Sequence, residues 1–155
     1  MNIFILNTGR CGSTTFIKAC KHITNFTSAH ESLDDAIGEQ RLAYPDNHIE
    51  ADNRLSWVLG RLDLKYGDSA FYVHLKRDIE STARSFARRN DYGIMKAYRN
   101  GILQGDPNRH RAIDLAHDYI DTVETNIQLF LKKRHCFMFL YLDSKIINRQ
   151  GVCHF

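Results

Sequence analysis

A short apolar segment near the N-terminus leads directly into a glycine-rich loop, and this junction constrains the fold more than any other feature. Residues 2–7 are mostly apolar and predict a buried strand. The sequence then reads GRCGSTTF over residues 9–16, and apolar side chains recur with helical spacing over residues 13–23. A strand, a glycine turn and a helix in this order are typical of α/β proteins that hold an anion at the start of the helix.

The rest of the chain alternates predicted strands with predicted helices. Apolar runs predict further strands at residues 25–29, 48–51, 70–75 and 136–142. Periodic apolar positions predict helices at residues 55–66, after Asp78, and at residues 110–134. This alternation predicts one α/β domain over residues 1–155, a three-layer, doubly wound parallel sheet with a P-loop-like strand–loop–helix at its N-terminus. Ligands of such sheets bind beyond the carboxyl ends of the strands.

Capping signals set the expected helix ends. Ser32 is expected to cap a short helix, because an acidic residue follows three positions later. Asp78 is expected to cap the helix after the fourth strand, and Gly67 is expected to end the helix before it. The inner face of the Asp78 helix is predicted to carry Ile79, Ala83, Phe86 and Ala87.

Composition places the chain among ordinary globular proteins. Its 155 residues suffice for one domain with a real core, and 43% are hydrophobic while 25% are charged. The net charge of +3 suits an anionic small ligand but is too small to indicate nucleic-acid binding. The first strand begins too early for a signal peptide, no apolar run is long enough to span a membrane, and the four cysteines lack metal-site spacing. We therefore expect a cytoplasmic protein that binds neither membrane nor nucleic acid.

The glycine-rich loop differs from an ATP-binding loop at one decisive position. The ATP-binding type reads Gly-x-x-x-x-Gly-Lys-Ser/Thr, and here Ser13 stands where the lysine would be. The one cation of the loop is Arg10. Gly9 and Gly12 let the backbone approach an anion, and hydroxyl groups at the helix start add donors. The loop thus predicts a phosphate or sulfate ligand rather than a magnesium-bound triphosphate, although a plain strand-to-helix turn would also explain it.

GRCGSTTF and a second motif, YVHLKRDIESTARSF over residues 72–86, together resemble the sulfotransferases that use 3′-phosphoadenosine 5′-phosphosulfate (PAPS). The first motif resembles the loop that binds the 5′-phosphosulfate in that family. The second predicts a strand, Arg77 at its end, and Ser85 eight positions later in the next helix. That arginine–serine separation resembles the family's grip on the 3′-phosphate. The cofactor-binding residues that the resemblance implies are Gly9, Arg10, Cys11, Gly12, Ser13, Thr14, Thr15, Arg77 and Ser85.

The resemblance implies transfer of a sulfuryl group from PAPS to a hydroxyl or amine acceptor, with 3′,5′-adenosine bisphosphate (PAP) as product and no metal. Arg10 would stabilise the charge that develops on the leaving group. The resemblance covers residues 2–90, and only the layout agrees beyond them. The chain departs from the family at Ile79, where many members have proline. It is also shorter than most members, and NRQG at residues 148–151 only faintly matches a basic loop of the family.

Three side chains are candidates for the base that takes the acceptor's proton. Glu31 follows the second strand and resembles a carboxylate of tyrosylprotein and carbohydrate sulfotransferases. Asp52 follows the third strand, where cytosolic sulfotransferases place a histidine, and His30 precedes Glu31. Helix capping would also explain both carboxylates. The resemblance favours Glu31, with Asp52 second and His30 third.

The acceptor is expected to be a small molecule or a glycan. A basic cluster after the Arg77 helix could bind a polyanion, although such clusters are more often solvated surface; it comprises Arg88, Arg89, Lys96, Arg99, Arg109 and Arg111. One alternative function is a small nucleotide or nucleoside kinase, for which Asp143 follows an apolar strand. Another is a degenerate nucleotide-binding domain without activity. The sequence leaves the oligomeric state open.

Overall fold

The fold is built around a five-stranded parallel sheet. The computed structural model describes residues 1–105, 109–134 and 137–142. The strands are β1 (Ile3–Leu6), β2 (Thr27–His30), β3 (His48–Ala51), β4 (Phe71–Arg77) and β5 (Phe137–Leu142). Their order across the sheet is β2-β3-β1-β4-β5, and every neighbouring pair is parallel. The prediction of an α/β protein with a parallel sheet is confirmed.

Helices connect the strands. Within the described residues the α-helices are α1 (Ser13–Cys20), α2 (Leu59–Tyr66), α3 (Ile79–Ala87), α4 (Gly93–Ala97) and α5 (Ala112–Leu131). Shorter 3-10 turns occur at Gly38–Leu42, Asn53–Trp57 and Gly67–Ser69, and a π-helical turn, Tyr98–Ile102, follows α4. No helix in these parts of the chain has both the length and the apolar character needed to cross a membrane.

Side chains that alternate along β1 divide the buried residues into two cores. Phe4 and Leu6 belong to one core, together with residues of α2, α3 and α5. Ile5 belongs to the other core, together with residues of α1. Successive side chains of a strand point to opposite faces of the sheet. Therefore β1 contributes side chains to both cores, the one that contains residues of α1 and the one that contains residues of α2, α3 and α5.

This arrangement opens a crevice at the end of β1. The chain that leaves β1 continues into α1, whose buried apolar residues belong to the core of Ile5, whereas Leu55, which follows the neighbouring β3, belongs to the core of Phe4 and Leu6. In open parallel sheets, ligands bind where adjacent connections diverge in this way. The glycine-rich loop follows β1 and therefore lies at this crevice.

The predicted helix ends agree with the structure at two positions. Asp78 caps α3, since its carboxylate accepts a hydrogen bond of 2.8 Å from the backbone N–H of Ser81. Gly67 ends α2 with a φ of 46°, a conformation that glycine adopts readily. The third strand spans the predicted residues, and the last begins at Phe137. The predicted strand position of Cys136 falls outside the described residues.

Two local predictions are wrong, and one segment was not predicted. Ser32 caps no helix, because its backbone N–H and hydroxyl both donate to the Glu50 carboxylate, at 3.0 and 2.6 Å. Ile79 is 53% exposed instead of facing inward, because it precedes the part of α3 that packs on the core through Ala83 and Phe86. Helix α4 and the π-helical turn after it were not expected, since a five-residue helix gives too short a periodic signal.

Leu62→Ala is expected to lower the free energy of unfolding by about 2–5 kcal/mol, because Leu62 is fully buried where α2 packs on the core. Leu64 lies on the same helix and is 91% exposed. Leu64→Ala should therefore change the stability by less than about 0.5 kcal/mol. Urea denaturation of both variants measures the difference, and equal losses would contradict the packing of α2.

Candidate functional site

A cavity of about 560 Å³ lies in the crevice beyond the ends of the central strands. Most of the residues that the two motifs predicted for a ligand site line it. From the glycine-rich loop these are Gly9, Arg10, Gly12, Ser13, Thr14 and Thr15. The ends of β2 and β4 add His30, Glu31 and Arg77. Residues from separate loops therefore meet at one opening, as the rule for parallel sheets predicts.

The glycine-rich loop adopts a backbone conformation that only a few residues accept easily. Gly9, Arg10 and Gly12 have φ values of 86°, 60° and 93°. Positive φ is uncommon for a residue with a β-carbon, so Arg10 adopts it against an intrinsic preference. Such turns direct successive backbone N–H groups toward one point and form anion-binding concavities.

A buried asparagine fixes this loop from inside. The Asn7 side chain is fully buried, and its Oδ1 accepts a hydrogen bond of 2.8 Å from the backbone N–H of Gly9. The thiol of Cys11 donates to the same oxygen at 3.4 Å, and the Asn7 amide donates to the Ile5 carbonyl at 2.9 Å. The Asn7 side chain thus joins both halves of the loop to the end of β1.

Two distant segments hold the loop from outside. The Tyr119 hydroxyl of α5 donates to the Thr8 carbonyl at 2.9 Å, across 111 residues of sequence. The Ser56 hydroxyl donates to the Asn7 carbonyl at 3.2 Å. Because Tyr119 is fully buried, this hydrogen bond is shielded from water, and α5 helps to define a site whose motifs lie elsewhere.

Arg10, Arg77 and Ser85 are in direct contact. The Arg10 side chain donates from Nε to the Ser85 hydroxyl at 2.9 Å. Arg77 donates from Nη1 to the Arg10 backbone carbonyl at 3.2 Å. The Nε atom of Arg77 is shielded from solvent and has no hydrogen-bond partner within the described residues. The sequence separations are 75 and 67 residues, so the fold unites the two motifs.

Positive charge at this end of the cavity is not balanced. None of Arg10, Arg77 and Arg89 forms an ion pair with an acidic side chain in the part of the chain that the structure describes. Burial lowers the pKa of Arg10 below its ordinary value, and the charges of Arg89 and Arg77 lower it further. Guanidinium groups close enough to repel one another form a favourable site for an anion.

The three residues that end β2 and follow it have different partners. His30 lies with Nε2 at 3.0 Å from the Ser13 hydroxyl and 3.3 Å from the Thr14 hydroxyl. Glu31 has a positive φ of 53° and pairs with Arg54 at 3.1 Å. Ser32 donates from its backbone N–H and its hydroxyl to the Glu50 carboxylate. The side chains of His30 and Glu31 and the backbone of Ser32 therefore contact three separate groups, namely the start of α1, Arg54 and Glu50.

Glu50 is buried and charged. Burial raises its pKa, but hydrogen bonds from His48 and from Ser32 outweigh burial and leave the pKa below its ordinary value. His48 lies with Nε2 at 3.0 Å from the Glu50 carboxylate and with Nδ1 at 2.7 Å from the Thr27 hydroxyl. This buried network fixes the end of β2 and the turn beyond it.

Three predicted residues do not line the cavity. Asp52 is fully buried, and its two oxygens accept from Arg41 at 2.5 Å and from the backbone N–H of Arg54 at 2.8 Å. Cys11 is 1% exposed, and burial raises the pKa of its thiol to about 12. Its thiol is therefore unsuited to nucleophilic chemistry. Ser85 reaches the site through its contact with Arg10.

Sequence reasoning missed several lining residues. Asn53 and Arg54, which follow β3, line the cavity. Ile94 and Met95 of α4 also line it. Position at the carboxyl end of a strand was an available signal for the first two. No comparable signal existed for α4, because its helical pattern is too short to recognise.

The residues of the basic cluster differ in their exposure and surroundings. Arg89 lines the cavity. Arg99 is 7% exposed and pairs with Asp91 at 3.0 Å, so the expectation of a solvated residue is wrong there. Burial of Arg99 is possible because this pairing satisfies part of its guanidinium group.

No model of a protein family and no curated protein matches the sequence. Clusters of three or more histidine, cysteine or acidic side chains arranged to hold a metal ion do not occur among the described residues.

Gly9→Ala is expected to lower the free energy of unfolding for two reasons. A positive φ strains an alanine by about 1–3 kcal/mol, and the added Cβ would lie 3.2 Å from Asn53 Nδ2 and 3.3 Å from Phe86 Cζ. Gly38→Ala is the matched control, because Gly38 also has a positive φ but no atom within 4 Å of its Cβ position.

Urea denaturation should therefore show a loss for Gly9→Ala that exceeds the loss for Gly38→Ala by about 1–3 kcal/mol. Equal losses would mean that the close approach of Asn53 and Phe86 to the loop does not constrain it.

Proposed function

We propose that this chain is a sulfotransferase that uses PAPS as the sulfuryl donor. The observation that carries the proposal is the meeting of two independent motifs in one cavity. The hydroxyl-rich start of α1 and the contact among Arg10, Arg77 and Ser85 both border it. PAPS has anionic groups at two ends, which matches a cavity with two separate sets of anion-binding groups.

The first set of groups suits a 3′-phosphate. Arg77 has a shielded Nε atom without a partner in the described residues, and a phosphate oxygen would satisfy it. Ser85 offers a hydroxyl that is already in contact with Arg10. Planar guanidinium groups recognise phosphate through paired hydrogen bonds, so these three side chains form a phosphate clamp.

The second set of groups suits a phosphosulfate. Backbone N–H groups at the start of α1 and the hydroxyls of Ser13, Thr14 and Thr15 supply donors without a metal ion. PAPS, when bound, supplies a sulfuryl group whose bond to the bridging oxygen breaks while a bond to the acceptor oxygen or nitrogen forms. The protein's part is to hold this group and to stabilise the charge that develops on the leaving side.

The acceptor's proton requires a base, and Glu31 is the best-supported candidate. Its carboxylate lines the cavity and is 31% exposed, so an acceptor can reach it. Asp52 is less suitable, because both of its oxygens are engaged and its side chain is fully buried. A base must lie within hydrogen-bond reach of the proton it takes.

We further propose that residues 1–155 form one sulfotransferase-like domain, doubly wound in three layers, with a P-loop-like strand–loop–helix at β1 and α1. The acceptor remains a hydroxyl or amine compound, either a small molecule or a glycan. A cytoplasmic location without membrane or nucleic-acid partners stays a prediction. A small nucleotide kinase and an inactive nucleotide-binding domain are the outcomes against which the proposal is tested.

PAP is expected to raise the melting temperature of the protein without magnesium, because a ligand of the native state stabilises it by mass action. At a concentration of about 100 times its dissociation constant, the gain corresponds to about 2.7 kcal/mol. AMP lacks the 3′-phosphate and should raise the melting temperature much less. Thermal denaturation with each nucleotide measures the difference.

Arg77→Ala should remove most of the difference between PAP and AMP, because Arg77 belongs to the phosphate clamp. Arg84→Ala is the matched control, since Arg84 is an exposed arginine of α3 that does not line the cavity. Equal shifts from both nucleotides in the wild type would contradict the proposal. A preference for ATP that strictly requires magnesium would favour the kinase.

Glu31→Gln is expected to lower turnover by roughly two to four orders of magnitude while PAP binding stays intact, because only the proton transfer is lost. Asp34→Asn is the matched control: Asp34 pairs with the same Arg54, at 3.4 Å, but does not line the cavity. The assay follows labelled sulfate from PAPS to sugar, phenol and peptide acceptors, and its slow loss to water.

Asp52→Asn separates the two carboxylate hypotheses. Breaking the buried pair with Arg41 is expected to cost about 3–5 kcal/mol of stability. Full turnover of Glu31→Gln beside a folded but inactive Asp52→Asn would assign the base to Asp52. Tight PAP binding by a wild type that releases sulfate to no acceptor and not to water would favour an inactive binding domain.

A further inference from the structure

His30 contacts the start of α1, and a base for the acceptor would not need this contact. Its Nε2 lies between the hydroxyls of Ser13 and Thr14, at 3.0 and 3.3 Å. These hydroxyls belong to the first turn of α1, where the proposed function has the phosphosulfate bind. The imidazole therefore adjoins the anion subsite itself, and it lines the same cavity.

Within the described residues, no arginine hydrogen-bonds to the hydroxyls of Ser13 or Thr14. Arg10, which was expected to serve this subsite, donates from its side chain to Ser85 instead. Arg77 contacts the Arg10 backbone. Among the described residues, His30 is the one side chain able to carry a positive charge that hydrogen-bonds to Ser13 or Thr14.

We propose that His30 is a proton-dependent ligand of the phosphosulfate and not the base of the reaction. In this role the protonated imidazole donates from Nε2 to an oxygen of the phosphosulfate and supplies the cation that the loop lacks. The inference rests on the proposed function, because it concerns the same cavity. It assigns neighbouring residues opposite tasks, with His30 holding a proton and Glu31 accepting one.

The surrounding charges allow this role. The charged and titratable groups that line the cavity with His30 are Arg10, Glu31, Arg54, Arg77, Arg89 and Tyr92. Glu31 is paired with Arg54, so its charge is largely offset. The remaining arginines carry positive charge that an entering anion offsets. A bound phosphosulfate therefore promotes protonation of His30, and protonated His30 strengthens binding in return.

The sign of the pH dependence separates a ligand from a base. If the bound anion raises the pH at which His30 loses its proton, binding is strongest below the free-state midpoint and weakens as the pH rises through the bound-state midpoint. A shift of about one pH unit corresponds to about tenfold weaker binding above both midpoints. A histidine acting as the base must be unprotonated when substrate is bound, which predicts no such loss.

Adenosine 5′-phosphosulfate is the suitable probe, because it carries the phosphosulfate without a 3′-phosphate that would itself titrate. Its affinity for the wild type, measured by calorimetry between about pH 5.5 and 8.5, should fall about tenfold or more as the pH rises. His30→Gln keeps a side-chain N–H donor but cannot titrate, so its affinity should vary less than about twofold. His22→Gln is the control, since His22 is an exposed histidine after α1, and it should keep the wild-type slope.

Nuclear magnetic resonance of the wild-type imidazoles gives a second readout that needs no variant to fold. The His30 signals, assigned by their loss in His30→Gln, should titrate at higher pH when the probe is bound. A lower or unchanged midpoint would overturn the inference, as would a pH slope that persists in His30→Gln. If PAP binds but the probe shows no pH dependence, the inference alone fails. If neither compound binds at any pH, the proposed function fails with it.

Discussion

The hydrogen bonds of the Asn7 side chain are the interactions on which the site depends. A fully buried amide must find partners for its donors and acceptor, or folding loses the free energy of its hydration. Asn7 finds them in the Ile5 carbonyl, the Gly9 N–H and the Cys11 thiol. In the loop that these bonds hold, Gly9, Arg10 and Gly12 have positive φ.

The sheet order explains why residues so far apart in sequence meet. Strand β1 is central, and its neighbours β3 and β4 end at the same edge. The loop after β1 therefore lies between Arg54, which follows β3, and Arg77, which ends β4. The segments that follow β1 and β3 pack in different cores. The cavity is thus a consequence of topology, and the local sequence determines its chemistry.

The sequence predicted the parts of the fold and site that depend on local patterns. Such patterns lie within a few consecutive residues, as in the apolar run of β1, the turn residues of the loop and the cap at Asp78. It could not predict Tyr119, whose hydroxyl supports the loop from 111 residues away. It also gave Ser32 the wrong partner, because the Glu50 carboxylate that displaces a helix cap is adjacent only in three dimensions. Long-range polar contacts carry no periodic signal.

The end of β2 shows how a fold can give adjacent residues different chemistry. The backbone N–H of Glu31 donates to the Ala51 carbonyl at 3.1 Å, and Ser32 is fixed on the buried Glu50. Between these anchors Glu31 has a positive φ, and its carboxylate meets Arg54 while His30 meets Ser13. If the segment were an extended strand, a shift of one residue would exchange the faces to which the His30 and Glu31 side chains point. The buried carboxylate of Glu50 therefore helps to fix the segment in which His30 and Glu31 have different partners, as their proposed roles require.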